Sequence, residues 1–146
     1  KKNNYGDSIN FENLNYLLNE AKECCKKTIN QKKIIHMIIE SYRVNDVKYS
    51  YFPKNQNSNS FSIQLKFMCL PDLIVENLET TLKKYQISLG QIISAEYMRT
   101  LFTKKNEDLI KMAKETIDGF NANEVKFMPK IEKNRGFFEK FFHFFG

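Results

Sequence analysis

Glycine and proline are scarce: five Gly and three Pro in 146 residues. With 42% apolar residues, that excludes a collagen-like or disordered chain. The length excludes a large multidomain enzyme and gives one domain with material for a real core. Cysteine is scarce too. Cys24, Cys25 and Cys69 are odd in number and unpatterned, which points to a reducing compartment rather than a disulfide framework. The adjacent Cys24 and Cys25 are expected as a buried pair on a helix. No apolar h-region follows the opening Lys1-Lys2-Asn3-Asn4-Tyr5, and no run approaches the ~18 apolar residues of a membrane span. The expected location is the cytoplasm, with peripheral attachment to the inner face of the membrane as a further option. A start other than Met keeps a fragment of a longer protein in view.

Catalytic signatures are also missing. There is no C-x-x-C, no H-E-x-x-H and no acidic Ca²⁺ loop, so no metal site is expected. Neither G-x-x-x-x-G-K-[ST] nor G-x-G-x-x-G occurs, so no nucleotide cofactor is expected. Only His36 and His143 are available as imidazoles. His36 falls in an apolar run and reads as a structural residue, buried or at a sheet edge. A Cys25–His36 nucleophile and base lacks an evident third, orienting group. The expectation is a non-enzymatic protein with no cofactor.

Charge leans basic, with 23 Lys and Arg against 17 Asp and Glu and a formal net charge of +6. An excess of this size favours an anionic partner without choosing between phosphate backbone and anionic lipid. The Lys come mostly as pairs: Lys26-Lys27, Lys32-Lys33, Lys83-Lys84 and Lys104-Lys105. Such pairs serve either solubility or phosphate binding. Phe61, Phe67, Tyr49 and Tyr51 could stack bases on an open sheet, but the RNP1-type pattern is absent, so core packing is the better reading of Phe61 and Phe67.

Periodicity predicts an α+β fold, a small mixed or antiparallel sheet covered by two or three helices, within residues 1–129. Leu14, Leu17, Leu18, Ala21, Cys24 and Cys25 recur at helical spacing. Asn10 is their N-cap, and Ile9 and Leu14 occupy hydrophobic-staple positions. Residues 34–39 (IIHMII) read as a central strand. Tyr42, Val44, Val47, Tyr49 and Tyr51 read as a second, more exposed one. Residues 53–60 are a polar loop. Phe61, Ile63, Leu65, Phe67 and Cys69 alternate with Ser62, Gln64, Lys66 and Met68, one face buried and one largely wet, and make the clearest strand. A helix starting at Pro71-Asp72 has Ile74, Leu78, Leu82 and Tyr85 as its expected inner stripe, widened by Leu73 and Val75. A further strand is expected over Gln91 to Tyr97. A third helix carries Leu109, Ile110, Ala113 and Ile117, with Glu107-Asp108 at its start and Gly119 at its end. Val125 and Phe127 are a candidate last strand.

Residues 130–135 then form a polar linker to a Phe-rich tail. On a helical wheel, Phe137, Phe138, Phe141, Phe142, Phe144 and Phe145 fall within roughly 160° at 100° per residue, opposite Glu139, Lys140 and His143. Such an amphipathic helix packs on its own core, docks in a partner groove or lies in a membrane interface. These Phe, with Lys140 as the cation among them, are the candidate membrane- or partner-binding residues. Val47, Tyr49 and Tyr51 are a candidate strand-edge interface.

Some of these segments match a known pattern. Residues 33–46 (KIIHMIIESYRVND), the strand Phe61 to Cys69, Val75-Glu76-Asn77-Leu78 and Ser94-Ala95-Glu96-Tyr97-Met98 together resemble the SHS2-type (1C) subdomain of the bacterial cell-division protein FtsA. The resemblance runs from about Ile9 to Met98. The tail is similar to that family's C-terminal membrane-targeting helix. The family's actin-like lobes and phosphate loops are absent, so ATP binding is not implied. What the resemblance implies is contact with another protein, or self-association, through the small domain, and peripheral membrane attachment through the tail. The alternative class is a basic α+β domain that binds nucleic acid.

Overall fold

A computed structural model describes residues 2, 3, 5–102 and 108–126. The tail residues Phe137, Phe138, Lys140, Phe141, Phe142, Phe144 and Phe145 lie outside the described residues, as do Lys104, Lys105, Glu107, Phe127 and His143.

The described chain is an α+β fold in the order β1 (Lys2–Asn3), α1 (Phe11–Thr28), β2 (Lys32–Val44), β3 (Val47–Tyr49), β4 (Ser60–Pro71), α2 (Asp72–Lys83), α3 (Ala95–Leu101) and α4 (Leu109–Ile117). The four strands form one sheet in the order β1-β4-β2-β3, and every pairing is antiparallel. α1 begins with a reciprocal capping box: Asn10 Oδ1 accepts the Asn13 N–H at 2.9 Å, and Asn13 Oδ1 accepts the Asn10 N–H at 3.0 Å. Ile9 and Leu14 then enter one core cluster with Leu17, Ile39, Tyr42, Val44 and Phe61. That cluster seats the start of α1 on one face of the sheet.

β2 is longer than the apolar run 34–39 suggests. It runs to Val44, so Tyr42 and Val44 belong to it and not to a separate strand. The β2–β4 ladder shifts register between Ile34 and His36 and again between Ile39 and Ser41. Each irregularity adds a residue and interrupts the two-residue alternation by which a strand is read from sequence. Asn45 and Asp46 both have positive φ, as a two-residue I′ hairpin requires, and lead into β3.

Four other expectations need correction. Residues 91–94 are not a strand. Ser94 caps a helix, its Oγ accepting the Tyr97 N–H at 3.2 Å, and α3 occupies the place of the expected strand's end. In α2 the buried residue is Val75, whereas Ile74 is 53% exposed and Leu78 and Tyr85 are also exposed. β4 passes into α2 without a loop, so the strand's direction fixes which face of the helix turns inward. Cys24 is exposed, and only its neighbour Cys25 is half-buried, so the two are not a buried pair. In α4, Met112 and Thr116 turn inward, while Leu109, Ile110 and Ile117 are exposed. Asp108 caps α4 through its side chain, as the acidic start implies. A second core of Met98, Phe102 and Met112 joins α3 to α4.

Candidate functional site

The titratable cluster of the fold surrounds His36. Ile39 belongs to the α1 core, so the two-residue period of β2 turns His36 to the opposite face. There its ring packs on the Tyr97 ring of α3, with centroids 4.5 Å apart. The Ser94 N–H donates to His36 Nε2 at 2.9 Å. An Nε2 that accepts places the proton of the neutral ring on Nδ1, which then donates to Glu124 Oε1 at 2.7 Å. The Tyr97 hydroxyl donates to Glu124 Oε2 at 3.0 Å and accepts from Asn121 Nδ2 at 2.8 Å. Asn121 Oδ1 also accepts the Asn123 N–H. The side chains of His36 and Glu124 are almost wholly buried. Burial pushes the Tyr97 hydroxyl up to about 12; the Asn121 hydrogen bond opposes the rise, and the Glu124 carboxylate adds to it.

The backbone brings Glu124 to this place. The Ile39 N–H donates to Asn123 O and the Val125 N–H donates to Met37 O, both at 2.9 Å, so residues 123–125 run antiparallel beside the middle of β2. Val125, expected in a last short strand, makes this contact. The arrangement acts chemically as a clamp. It ties β2, the start of α3 and the segment 121–125 through one imidazole whose two nitrogens are both engaged. His36 Nε2 has no lone pair left to accept a substrate proton. His36 and Cys25 are given different partners, Glu124 and Ser94 for one and Cys69 for the other. No group of three or more His, Cys, Asp or Glu suited to a metal ion occurs among the described residues.

An open cleft of about 530 Å³ adjoins the clamp, between residues 33–35 of β2, Glu79 of α2 and residues 89–92 and 124–126. Its rim carries the Lys33–Glu79 pair at 3.5 Å. Lys26 is likewise paired, with Glu23 at 3.1 Å. Phe61 is fully buried and so packs in the core rather than stacking a base, while Phe67 is half-buried.

The expected edge residues lie at the outer limit of the sheet. β3 is its last strand, paired only with β2 among the described residues. Val47 is 56% exposed. Tyr49 is half-buried, and its hydroxyl accepts from Gln56 Nε2 at 2.9 Å. Tyr51 lies beyond the strand, 66% exposed, edge-on to Tyr49.

Sequence reading missed Tyr97, Asn121 and Glu124 as partners of His36. The available signal was His36 itself, since a buried imidazole requires hydrogen-bond partners. No helix among the described residues is long and apolar enough to cross a membrane. No family model, no curated protein and no solved structure matches the chain.

Proposed function

We propose that this chain is a non-enzymatic protein–protein interaction module, of the kind found as an adaptor subdomain in cell-division or cytoskeletal assemblies. Its domain contacts another protein or a second copy through the sheet edge, and its Phe-rich tail attaches peripherally to an anionic membrane surface. The observation that carries this reading is the edge strand β3, whose outer side meets no other strand among the described residues. The two-residue turn makes Val44 and Val47 the closing hydrogen-bonded pair, so Lys48, the next residue, turns its N–H outward. An incoming strand would pair with that group, while Val47 and Tyr51 offer apolar contact beside it. The closed geometry around His36 supports the non-enzymatic part, because the cluster's hydrogen-bonding capacity is spent within the fold.

Sedimentation velocity of the full chain over a wide concentration range tests the edge. Self-association that Lys48→Pro removes, with circular dichroism unchanged, is the expected result. Co-sedimentation with vesicles of phosphatidylglycerol and phosphatidylcholine tests the tail, with Phe141→Glu/Phe142→Glu as the comparison. Loss of sedimentation at unchanged thermal stability makes the tail an anchor. Equal sedimentation with lower stability makes it part of the core. A strict monomer that ignores vesicles but binds oligonucleotides, ever more weakly as salt rises, would replace this reading with the nucleic-acid one.

A further inference from the structure

The third chemistry-bearing cluster involves neither the edge nor the clamp. Cys25 lies near the C-terminal end of α1, and Cys69 lies near the end of β4, opposite Ile34 in the ladder. Far apart in sequence, Cys25, on the α1 stripe of Leu14, Leu18 and Ala21, and Cys69, on the sheet face of Phe61 and Leu65, lie thiol beside thiol, both half-buried and both free. Cys24 is exposed, and its position on the helix, about 100° from Cys25, turns it away from that contact. Counting cysteines implies that no closed set forms; the fold instead singles out one pair and leaves one thiol over.

The place of the contact gives it a mechanical meaning. The buried residues of α1 are Asn13, Leu14 and Leu17, all in its first half. The second half has no fully buried residue; Ala21, Lys22 and Cys25 are half-buried there and the others are exposed. A covalent link at Cys25–Cys69 would fasten the helix where packing holds it least.

We propose that Cys25 and Cys69 form a reversible intramolecular disulfide, with a low-molecular-weight disulfide such as oxidised glutathione as the oxidant. One protein thiolate attacks a glutathione sulfur, forming a mixed disulfide and expelling one glutathione thiolate. The second protein thiolate attacks the protein sulfur of that mixed disulfide and expels the other. The two thiol protons end on the two glutathione molecules, which gain the two electrons the protein loses. Burial pushes both thiols up, while the nearby Lys32 charge favours the Cys69 thiolate. The exchange is therefore slow at neutral pH and faster as pH rises. In a reducing compartment the pair remains two thiols, and oxidation locks the helix.

Full-length chain equilibrated across a series of oxidised-to-reduced glutathione ratios, trapped by alkylation and mapped by peptide mass spectrometry, tests the proposal. The expected product is lighter by two hydrogens, carries a Cys25–Cys69 linked peptide and leaves Cys24 alkylated. Its loop of about 45 residues should raise Tm by about 10 °C, reversed by dithiothreitol. Cys24→Ser keeps both the link and the shift, and Cys69→Ser loses both. Only glutathione adducts, only links through Cys24, or only dimers between chains would overturn it. The linked peptide is read on the unsubstituted chain, so the outcome does not depend on how a variant folds.

Discussion

Replacing His36 with Ala probes the clamp most directly. The substitution orphans the buried Ser94 N–H, which donates to Nε2 at 2.9 Å, and takes from Glu124 its 2.7 Å partner on Oε1. An unsatisfied buried amide costs about 1–3 kcal/mol, and a hydrogen bond to a charged group is worth about 1.5–3 kcal/mol. Glu124 keeps the Tyr97 hydroxyl on Oε2, so its carboxylate is not wholly abandoned. A loss of about 3–5 kcal/mol is expected, in line with breaking a buried pair from one side. Against a total stability of about 5–15 kcal/mol, that is a large fraction. Urea denaturation should show a lower midpoint at unchanged slope. Hydrogen exchange should accelerate at the Ser94 amide and along the first turn of α3, since Ser94 also caps that helix. His36→Ala/Glu124→Ala should cost less than the sum of its parts by about 1 kcal/mol or more, because removing both groups leaves no stranded charge. A loss under about 1 kcal/mol with Ser94 exchange unaltered would refute the clamp.

Alkaline unfolding should report Tyr97. Its folded pKa of about 12 lies above the ordinary value of 10, so the contribution is fully present below pH 10 and is lost as pH rises to about 12, worth about 2–3 kcal/mol; Tyr97→Phe should flatten that window in a pH series of urea titrations. Asn10→Ala removes one half of the α1 capping box and should cost about 1 kcal/mol, read as a lower urea midpoint. Asp46→Gly should stabilise by about 0.5 kcal/mol, because Asp46 holds a φ of 68° whose left-handed strain, about 1–2 kcal/mol, outweighs the extra chain entropy of glycine, about 0.5–1 kcal/mol. Asn45 must be kept, since its Oδ1 accepts the Asn59 and Ser60 N–H groups and ties the hairpin to β4, and Asn45→Ala should instead lower Tm.

What is legible in the chain follows the range over which each interaction acts. The start of α1 can be read because its cap, staple and capping box are all set between Ile9 and Leu14. β4 can be read because its alternation runs from Phe61 to Phe67, the bulges lying on the β2 side of the ladder. β2 reads too short because the extra residues at Ile35 and Glu40 spoil its period, although the pairing runs through to Val44. The run Ile92-Ile93-Ser94-Ala95 is short and apolar, so periodicity alone does not separate strand from helix there. A distant group decides it. His36 holds the Ser94 N–H, the Ser94 hydroxyl caps Tyr97, and the helix starts from that fixed point. The same contact explains why the site is half visible. Burial of His36 follows from its neighbours in the chain, but the carboxylate that satisfies it arrives 88 residues later, positioned by the backbone pairing of residues 123–125 with β2. Local sequence dictates the demand for a partner, and only the folded chain beside β2 supplies which one. A residue at 124 that could not accept from Nδ1–H would therefore unsettle α3, to which it is joined through the side chains of His36 and Tyr97.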